Sequence, residues 1–103
     1  MTLKDIKDRC EANNLKYQYG IVEDKTSPPY VVAVVQDSNN FVADNKVYKK
    51  IQAIELYYTY KVKSVETEEL IENTILDGVV WRKGDEEYFY DSNVWQVIYY
   101  FNI

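Results

Sequence analysis

The sequence has no histidine and a single cysteine, and these shortages remove most routes to catalysis. Histidine is the commonest general base and metal ligand, so Ser-His and Cys-His nucleophile pairs and the usual Cys/His zinc sites are excluded. Cys10 has no second cysteine in the chain to bond with, and it falls on the apolar side of a predicted helix. We therefore expect a buried, unreactive thiol at this position.

Glycine is also scarce: the three glycines stand apart, so no glycine-rich phosphate loop can form. Carboxylates do occur together, in Glu68-Glu69 and in Asp85-Glu86-Glu87, and such pairs can serve glycosidases or oxygen-ligand metal sites. Both runs fall where charged side chains usually face solvent, in a helix's first turn and at a predicted turn. We therefore predict that the protein is not an enzyme and has no catalytic, cofactor-binding or metal-ligating residue.

Long apolar runs are missing as well. None approaches the ~20 residues of a membrane span, and no basic, apolar leader is recognised. With only two prolines, 47% hydrophobic and 28% charged residues, the composition is globular rather than disordered. These features predict a soluble, intracellular protein without a membrane partner, folded as a single domain over residues 1–103.

The net charge of −5 is unevenly distributed, at +1 over residues 1–52 and −6 over residues 53–103. Binding of DNA by counterion release needs clustered basic residues, and the short pair Lys49-Lys50 is too little for that. We therefore predict no specific nucleic-acid binding. The acidic half serves either as a docking face or, more simply, as a solvated face.

Two helices are predicted, over residues 3–13 and from Ser64 to Gly78. Thr2 is a suitable N-cap for the first helix, and Ser64 or Thr67 for the second, whose early carboxylates suit the helix dipole. A thin apolar stripe marks the first helix. In the second, four residues recur at helical spacing and are expected to face a sheet: Leu70, Ile71, Thr74 and Ile75.

The remaining segments predict strands separated by turns. Strands are expected over residues 15–22, 30–35, 41–43 and 50–61, with turns at 37–40 and 44–46. Residues 79–82 and 87–90 are expected to form a hairpin. Short connections between successive strands favour antiparallel pairing. The predicted fold is α+β: a single, mostly antiparallel β-sheet with two helices packed on one face.

The last ten residues, 94–103, alternate with period 2 and predict a paired strand with two apolar faces. Its odd-numbered face is expected to join the core, and its even-numbered face is the candidate for a subunit contact. Tyrosine makes up 11 of the 103 residues and suits both strands and protein interfaces. The candidate interface residues are Tyr57, Tyr58, Tyr60, Trp95, Tyr99 and Tyr100, about half of which would be ordinary core if one face of each strand is buried.

Three stretches together resemble a known family. Residues 27–32 read Ser-Pro-Pro-Tyr-Val-Val, residues 48–57 read Tyr-Lys-Lys-Ile-Gln-Ala-Ile-Glu-Leu-Tyr, and residues 95–101 read Trp-Gln-Val-Ile-Tyr-Tyr-Phe. This order resembles the tail-completion, or tail-terminator, proteins of long-tailed phages and of prophages in Gram-positive bacteria, over most of residues 27–103. Trp95 stands where that family often has tyrosine, and residues 58–61 are more aromatic than its pattern.

The resemblance implies a structural virion protein without a cofactor. Its relatives form a ring, commonly a hexamer, at the head-proximal end of the tail tube, where they end tube growth. The implied partners are other copies of the chain, the tail-tube protein and the head connector. The implied location is the virion, and the host cytoplasm during assembly.

Two other functions stay open. The low isoelectric point, about 4.7, and the acidic second half are also typical of an acidic binding inhibitor, such as an antitoxin-like or DNA-mimic protein. A neighbouring phage head-closure or connector protein is the third possibility. Position of the gene directly before the major tail-tube gene would favour tail completion over head closure.

Overall fold

The computed structural model describes residues 1–21, 26–38, 41–43, 46–49 and 51–103. The helices are α1 (Leu3–Ala12) and α2 (Val65–Leu70), and α2 continues as a π-helical segment (Ile71–Ile75). The strands are β1 (Lys16–Tyr19), β2 (Tyr30–Ser38), β3 (Phe41–Ala43), β4 (Lys46–Lys49), β5 (Gln52–Tyr60), β6 (Trp81–Lys83), β7 (Glu87–Phe89) and β8 (Val94–Asn102). No helix within these ranges is long and apolar enough to cross a membrane.

The fold is α+β, as predicted, with a six-stranded, mostly antiparallel sheet. The strand order is β1-β2-β5-β8-β6, and β7 also pairs with β8. Among the strand pairs of the described residues, only β1 and β2 run parallel to each other. Buried residues of α1 and of the π-helical segment share one core with β2, β5 and β8, and Leu70 of α2 packs against it, so both helices lie on one face of the sheet. The expectation of a single sheet is corrected in one respect, because β3 and β4 form a separate two-stranded sheet.

The predicted hairpin over residues 79–82 and 87–90 is wrong. Strands β6 and β7 do not pair with each other; each pairs antiparallel with β8, one after the other along the same edge. The backbone N–H of Gly84, between them, donates to the carbonyl of Ile98 at 2.8 Å. The chain therefore follows β8 where its Lys-Gly-Asp-Glu sequence suggests a turn. The true hairpin joins β7 to β8.

Two of the predicted turns need correction. Asp37 and Ser38 belong to β2, where they pair with Ala53 and Gln52 across a bulge, whereas residues 39–40 lie outside the described residues. Lys46 is the first residue of β4, a strand that was not predicted, and residues 44–45 also lie outside the described ranges. The strand predicted over 15–22 is shorter, and the long strand predicted over 50–61 is confirmed as β5.

Helix α1 begins with the expected cap. The Thr2 hydroxyl accepts from the backbone N–H of Asp5 at 3.2 Å, and the Asp5 carboxylate accepts from the Thr2 N–H at 2.8 Å. The helix ends before Asn14, whose positive φ of 58° is tolerated by asparagine. Cys10 is buried as predicted, and this burial raises the pKa of its thiol to about 12.

Helix α2 is capped by Ser64, whose hydroxyl accepts from the Thr67 N–H at 3.2 Å. Ile71 and Ile75 are buried against the sheet as predicted, but Thr74 is exposed. The reason is the π-helical segment: the N–H of Leu76 donates to the carbonyl of Ile71 at 2.8 Å, five residues back. This wider turn changes which positions share a face, so a 3.6-residue period misplaces Thr74.

One arginine joins the two helices. The Arg9 guanidinium, from α1, donates to the carbonyls of Thr74, Ile75 and Asp77 at 3.5, 3.1 and 2.9 Å. Carbonyls at the end of a helix lack partners within the helix. Arg9 therefore satisfies the end of the second helix and fixes it to the first.

Replacement of Arg9 by methionine should lower the free energy of unfolding by about 1.5–3 kcal/mol, the range for hydrogen bonds to charged groups. Methionine keeps the apolar stem but loses all three donated bonds. Lys7→Met is the matched control, because its ion pair with Glu11 is exposed and long, at 3.9 Å, and should change stability by less than about 0.5 kcal/mol. Urea denaturation measures both variants, and equal losses would contradict this role of Arg9.

Candidate protein-binding surface

The side of the sheet opposite the helices carries no covering helix within the described ranges, and we call it the open face. Its residues come from alternate positions of β2, β5, β8 and β6, and the register sets them in rows across the strands. One row holds Val34, Glu55, Tyr100 and Arg82. The next holds Val32, Tyr57 and Ile98 and reaches Gly84. A third holds Thr59, Gln96 and Glu87. Val32 and Thr59 are buried, whereas Tyr57, Ile98 and Tyr100 at the centre are half-buried and therefore partly accessible.

Glu55 organises the polar part of the open face. Its carboxylate accepts from the Gln36 amide at 3.0 Å and from the Tyr57 hydroxyl. Two causes raise the pKa of Tyr57 to about 12: mainly the hydrogen bond to the Glu55 carboxylate, and to a lesser extent partial burial. The Tyr57 ring is therefore neutral and held in place across the physiological range. This kind of restraint lowers the entropy cost of binding.

Tyr100 lies beside Glu55 in the same row and is held from its other side. The Arg82 guanidinium stacks over the Tyr100 ring, 4.2 Å from its centroid. A side chain at Gly84 would come within 3.2 Å of the same ring, so the absence of a Cβ there makes room for it. A surface depression of about 430 Å³ lies at this point, lined by Gly84, Asp85, Glu86, Glu87, Ile98 and Tyr100.

A second aromatic surface lies at the connection between β7 and β8, and we call it the aromatic hairpin: Tyr88, Phe89, Tyr90 and Trp95. Ring centroids are 4.8 Å apart for Tyr88 and Tyr90 and 5.1 Å apart for Tyr88 and Trp95. Tyr90 is 83% exposed, and Phe89 and Trp95 are each 38% exposed. The Tyr88 hydroxyl donates to Asn93 at 3.2 Å, which ties the hairpin together. Clustered exposed rings of this kind are typical of interface hot spots.

The six candidate interface residues divide between the core and the two surfaces. Tyr58, Tyr60 and Tyr99 are at most 2% exposed and belong to the core, so they are not accessible on this chain. Tyr57 and Tyr100 lie on the open face, and Trp95 lies in the aromatic hairpin. Sequence reasoning missed Tyr88, Phe89 and Tyr90. Four aromatic residues within eight positions around a turn were the available signal.

A charge cluster lies on the helix side of the sheet, around the buried carboxylate of Glu68. This side chain, predicted to face solvent, belongs to a residue that is only 4% exposed. It accepts from Lys63 at 2.8 Å and from Lys83 at 2.7 Å. Burial opposes its ionisation, but the two lysines outweigh burial and hold the pKa of Glu68 below its usual range.

The cluster extends to two further carboxylates, which the same lysines share. Lys83 also donates to Glu72 at 2.9 Å, and Lys63 also pairs with Glu86. The buried Tyr99 hydroxyl donates to Glu72 at 2.7 Å. Burial and then this carboxylate raise the pKa of Tyr99 well above its usual value. Because each lysine bridges two carboxylates, the cluster ties α2 to β6 and to the segment before β7.

The described residues contain no group of three or more histidine, cysteine, aspartate or glutamate side chains arranged to hold a metal ion. Comparison with protein-family models finds no match for the sequence, and comparison with curated proteins finds none.

Replacement of Glu68 by glutamine should lower the free energy of unfolding at pH 7 by about 1–3 kcal/mol, because two charge-assisted bonds are weakened in a buried place. Since the pKa of Glu68 is lowered in the folded state, its contribution is fully present above the unfolded pKa. This stabilising contribution is lost as the pH falls through the pKa that Glu68 has in the folded protein. The difference between native protein and Glu68→Gln should therefore shrink below about pH 4. Denaturation from pH 7 to pH 3 tests this, with Glu69→Gln as the exposed control; a constant difference would contradict it.

Two buried tyrosines should respond differently to removal of the hydroxyl. Tyr99→Phe loses a bond to a carboxylate and should cost about 1–2 kcal/mol. The buried Tyr60 hydroxyl makes no well-formed hydrogen bond among the described residues, although burial and then the nearby Glu86 carboxylate raise its pKa to about 12, so Tyr60→Phe should cost less than Tyr99→Phe. Thermal unfolding of the two variants side by side measures the contrast, and a larger loss for Tyr60→Phe would refute it.

Proposed function

We propose that this chain is a structural phage protein that forms a ring at the head-proximal end of a tail tube. There it ends tube growth and joins the tail to the head connector. The proposal rests on the resemblance of residues 27–103 to tail-completion proteins. The structural observation that supports it best is the presence of two different exposed aromatic surfaces on one chain, the open face and the aromatic hairpin.

A ring needs two unlike surfaces. Contacts between like patches close into dimers, whereas a contact between different patches continues from copy to copy until rotation closes the ring. In the proposed ring, the aromatic hairpin of each copy packs on the open face of the next. Trp95 lies on the first side of this contact and Tyr57 and Tyr100 lie on the second, so three of the sequence candidates take part.

The composition of the two surfaces is consistent with this role. Tyrosine, tryptophan and arginine are enriched in the centres of protein interfaces, and charged residues other than arginine are depleted there. Lys63 and Lys83 belong to the charge cluster on the helix side of the sheet, where both are paired with Glu68, and they are not part of either aromatic surface. The ring would be assembled in the host cytoplasm and kept in the virion, with the tail-tube protein and head connector as its neighbours.

Light scattering from micromolar to millimolar concentration, with and without the tail-tube protein, tests the ring directly. The expected result is a species of several times the chain mass of 12.2 kDa, visible as rings by electron microscopy. A mass that never exceeds that of a dimer, with no effect of the tail-tube protein, would end the proposal. Tight capture of one basic enzyme without ring formation would favour the acidic inhibitor instead.

Replacement of Trp95 by alanine should abolish ring assembly and leave the fold largely intact. Because Trp95 is 38% exposed, its loss should cost less than the ~3–5 kcal/mol typical of a tryptophan in a core. Tyr19→Ala is the matched control, since Tyr19 is exposed but lies on β1, away from both surfaces. Denaturation and sizing are measured together, and retained assembly by Trp95→Ala would remove the aromatic hairpin from the contact.

A further inference from the structure

The charged row of the open face is complementary to itself. Glu55, Tyr100 and Arg82 lie directly beside one another on β5, β8 and β6, with Tyr100 in the middle. Glu55 and Arg82 thus stand at equal distances on either side of β8, at the same height along it. No ion pair between Arg82 and a carboxylate occurs in the described part of the chain, where its guanidinium stacks on Tyr100.

We propose that the open face binds a second copy of this chain through a two-fold axis that runs along β8. Rotation about such an axis keeps the height along the strand and exchanges left and right. Glu55 of each copy then faces Arg82 of the other, and Tyr100 faces Tyr100. The two sheets remain aligned, as in ordinary face-to-face sheet packing.

The neighbouring row fits the same arrangement by shape. Rotation places Tyr57 of one copy opposite Gly84 of the other, because each lies beside Ile98 on opposite sides. A large ring therefore meets the depression of about 430 Å³ that Gly84, Ile98 and Tyr100 help to line. Ile98 meets its own counterpart on the axis and supplies the apolar centre.

The third row adds no repulsion. Glu87 lies beside Gln96 on β8, and Thr59 lies on the other side of Gln96. Under the rotation, Glu87 of each copy lies across from the position of Thr59 in the other, which is buried and uncharged, so no like charge opposes Glu87 there. All three rows therefore match without like charges opposite one another, although the chain as a whole carries −5.

The size of the contact predicts a weak dimer. Three strands about 4.8 Å apart and three rows about 7 Å apart give a face of roughly 15 by 20 Å per copy. That is below the usual size of a stable interface, so association should be reversible. This contact does not depend on the proposed ring. If the ring forms as proposed, however, the dimer occupies the open face and competes with it.

Charge reversal tests the pairing of Glu55 with Arg82 across the dimer. Glu55→Arg places like charges opposite Arg82 of the other copy, and Arg82→Glu places like charges opposite Glu55. Each variant alone should raise the dimer dissociation constant about tenfold or more. An equimolar mixture of the two variants restores both cross-pairs, so a mixed dimer should form with an affinity close to that of the native protein.

Sedimentation velocity over about 1 µM to 1 mM is the measurement, with one variant carrying a fluorescent label to identify mixed dimers. Two variants on the helix side are the controls: Glu69→Arg changes the net charge as Glu55→Arg does, and Lys7→Glu changes it as Arg82→Glu does. Both should leave the dissociation constant of the dimer within about twofold of the native value. Far-ultraviolet circular dichroism and denaturation check that each variant is folded; if Glu55→Arg unfolds, Glu55→Gln paired with Arg82→Gln replaces it, each expected to weaken the dimer.

Native protein that stays monomeric up to 1 mM, or a mixture that associates no better than its components, would overturn the proposal. Trp95→Ala should keep the dimer, because Trp95 lies outside the three rows. Trp95→Ala therefore tests the ring without changing the dimer contact. The equimolar mixture of Glu55→Arg and Arg82→Glu tests the cross-pairs of the dimer.

Discussion

The pairing of β8 on both of its edges is the constraint on which the rest of the molecule depends. One edge pairs with β5 along eight residues, and the other holds β6 and then β7. Val97, Tyr99 and Phe101 enter the core, and the alternate residues Ile98 and Tyr100 line the open face. A slip of one residue would exchange the two sets, burying the open-face residues under the helices and exposing the core.

Polar contacts at the edges of the core then fix the helices on that sheet. Lys83 comes from β6 and reaches Glu68 and Glu72 beneath the second helix. At the far end of that helix, Arg9 binds the freed carbonyls. The second helix is short and partly π-helical, so packing alone gives it little stability. Its two ends are therefore held by side chains from other elements.

Sequence periodicity predicted the long strands β5 and β8, the helix caps and the α+β class, because each depends on spacing within a few residues. It did not predict that β6 and β7 share β8 as their partner. The sequence around Gly84 has the residues of a turn, but its bond to Ile98, fourteen positions away, and the pairing of β6 and β7 hold the segment along β8. The burial of Glu68 was missed for the same reason, since Lys83 lies fifteen positions further on.

The candidate surfaces were predictable in part. Period-2 alternation separates Tyr57 from Tyr58 and Tyr99 from Tyr100, and the prediction that the odd-numbered face of β8 joins the core is confirmed for Val97, Tyr99 and Phe101. On β5, Ile54 and Leu56 share a face with Tyr58 and Tyr60, whereas Glu55 shares one with Tyr57. This pattern already indicated that Tyr58 and Tyr60 belong to the core. The aromatic hairpin was harder to predict, since its rings come together only when β7 pairs with β8.

Electrostatics limits where two copies of this chain can meet. At −5 each, the copies repel at distances within a Debye length of about 8–10 Å, so contact through the acidic second helix is disfavoured. On the open face, Glu55 and Arg82 cancel, and Lys63 and Lys83 neutralise carboxylates on the opposite side. Salt relieves the overall repulsion but also weakens a Glu55–Arg82 cross-pair. The open face is therefore where self-association meets the least opposition, and its dependence on ionic strength reflects the balance between these two effects.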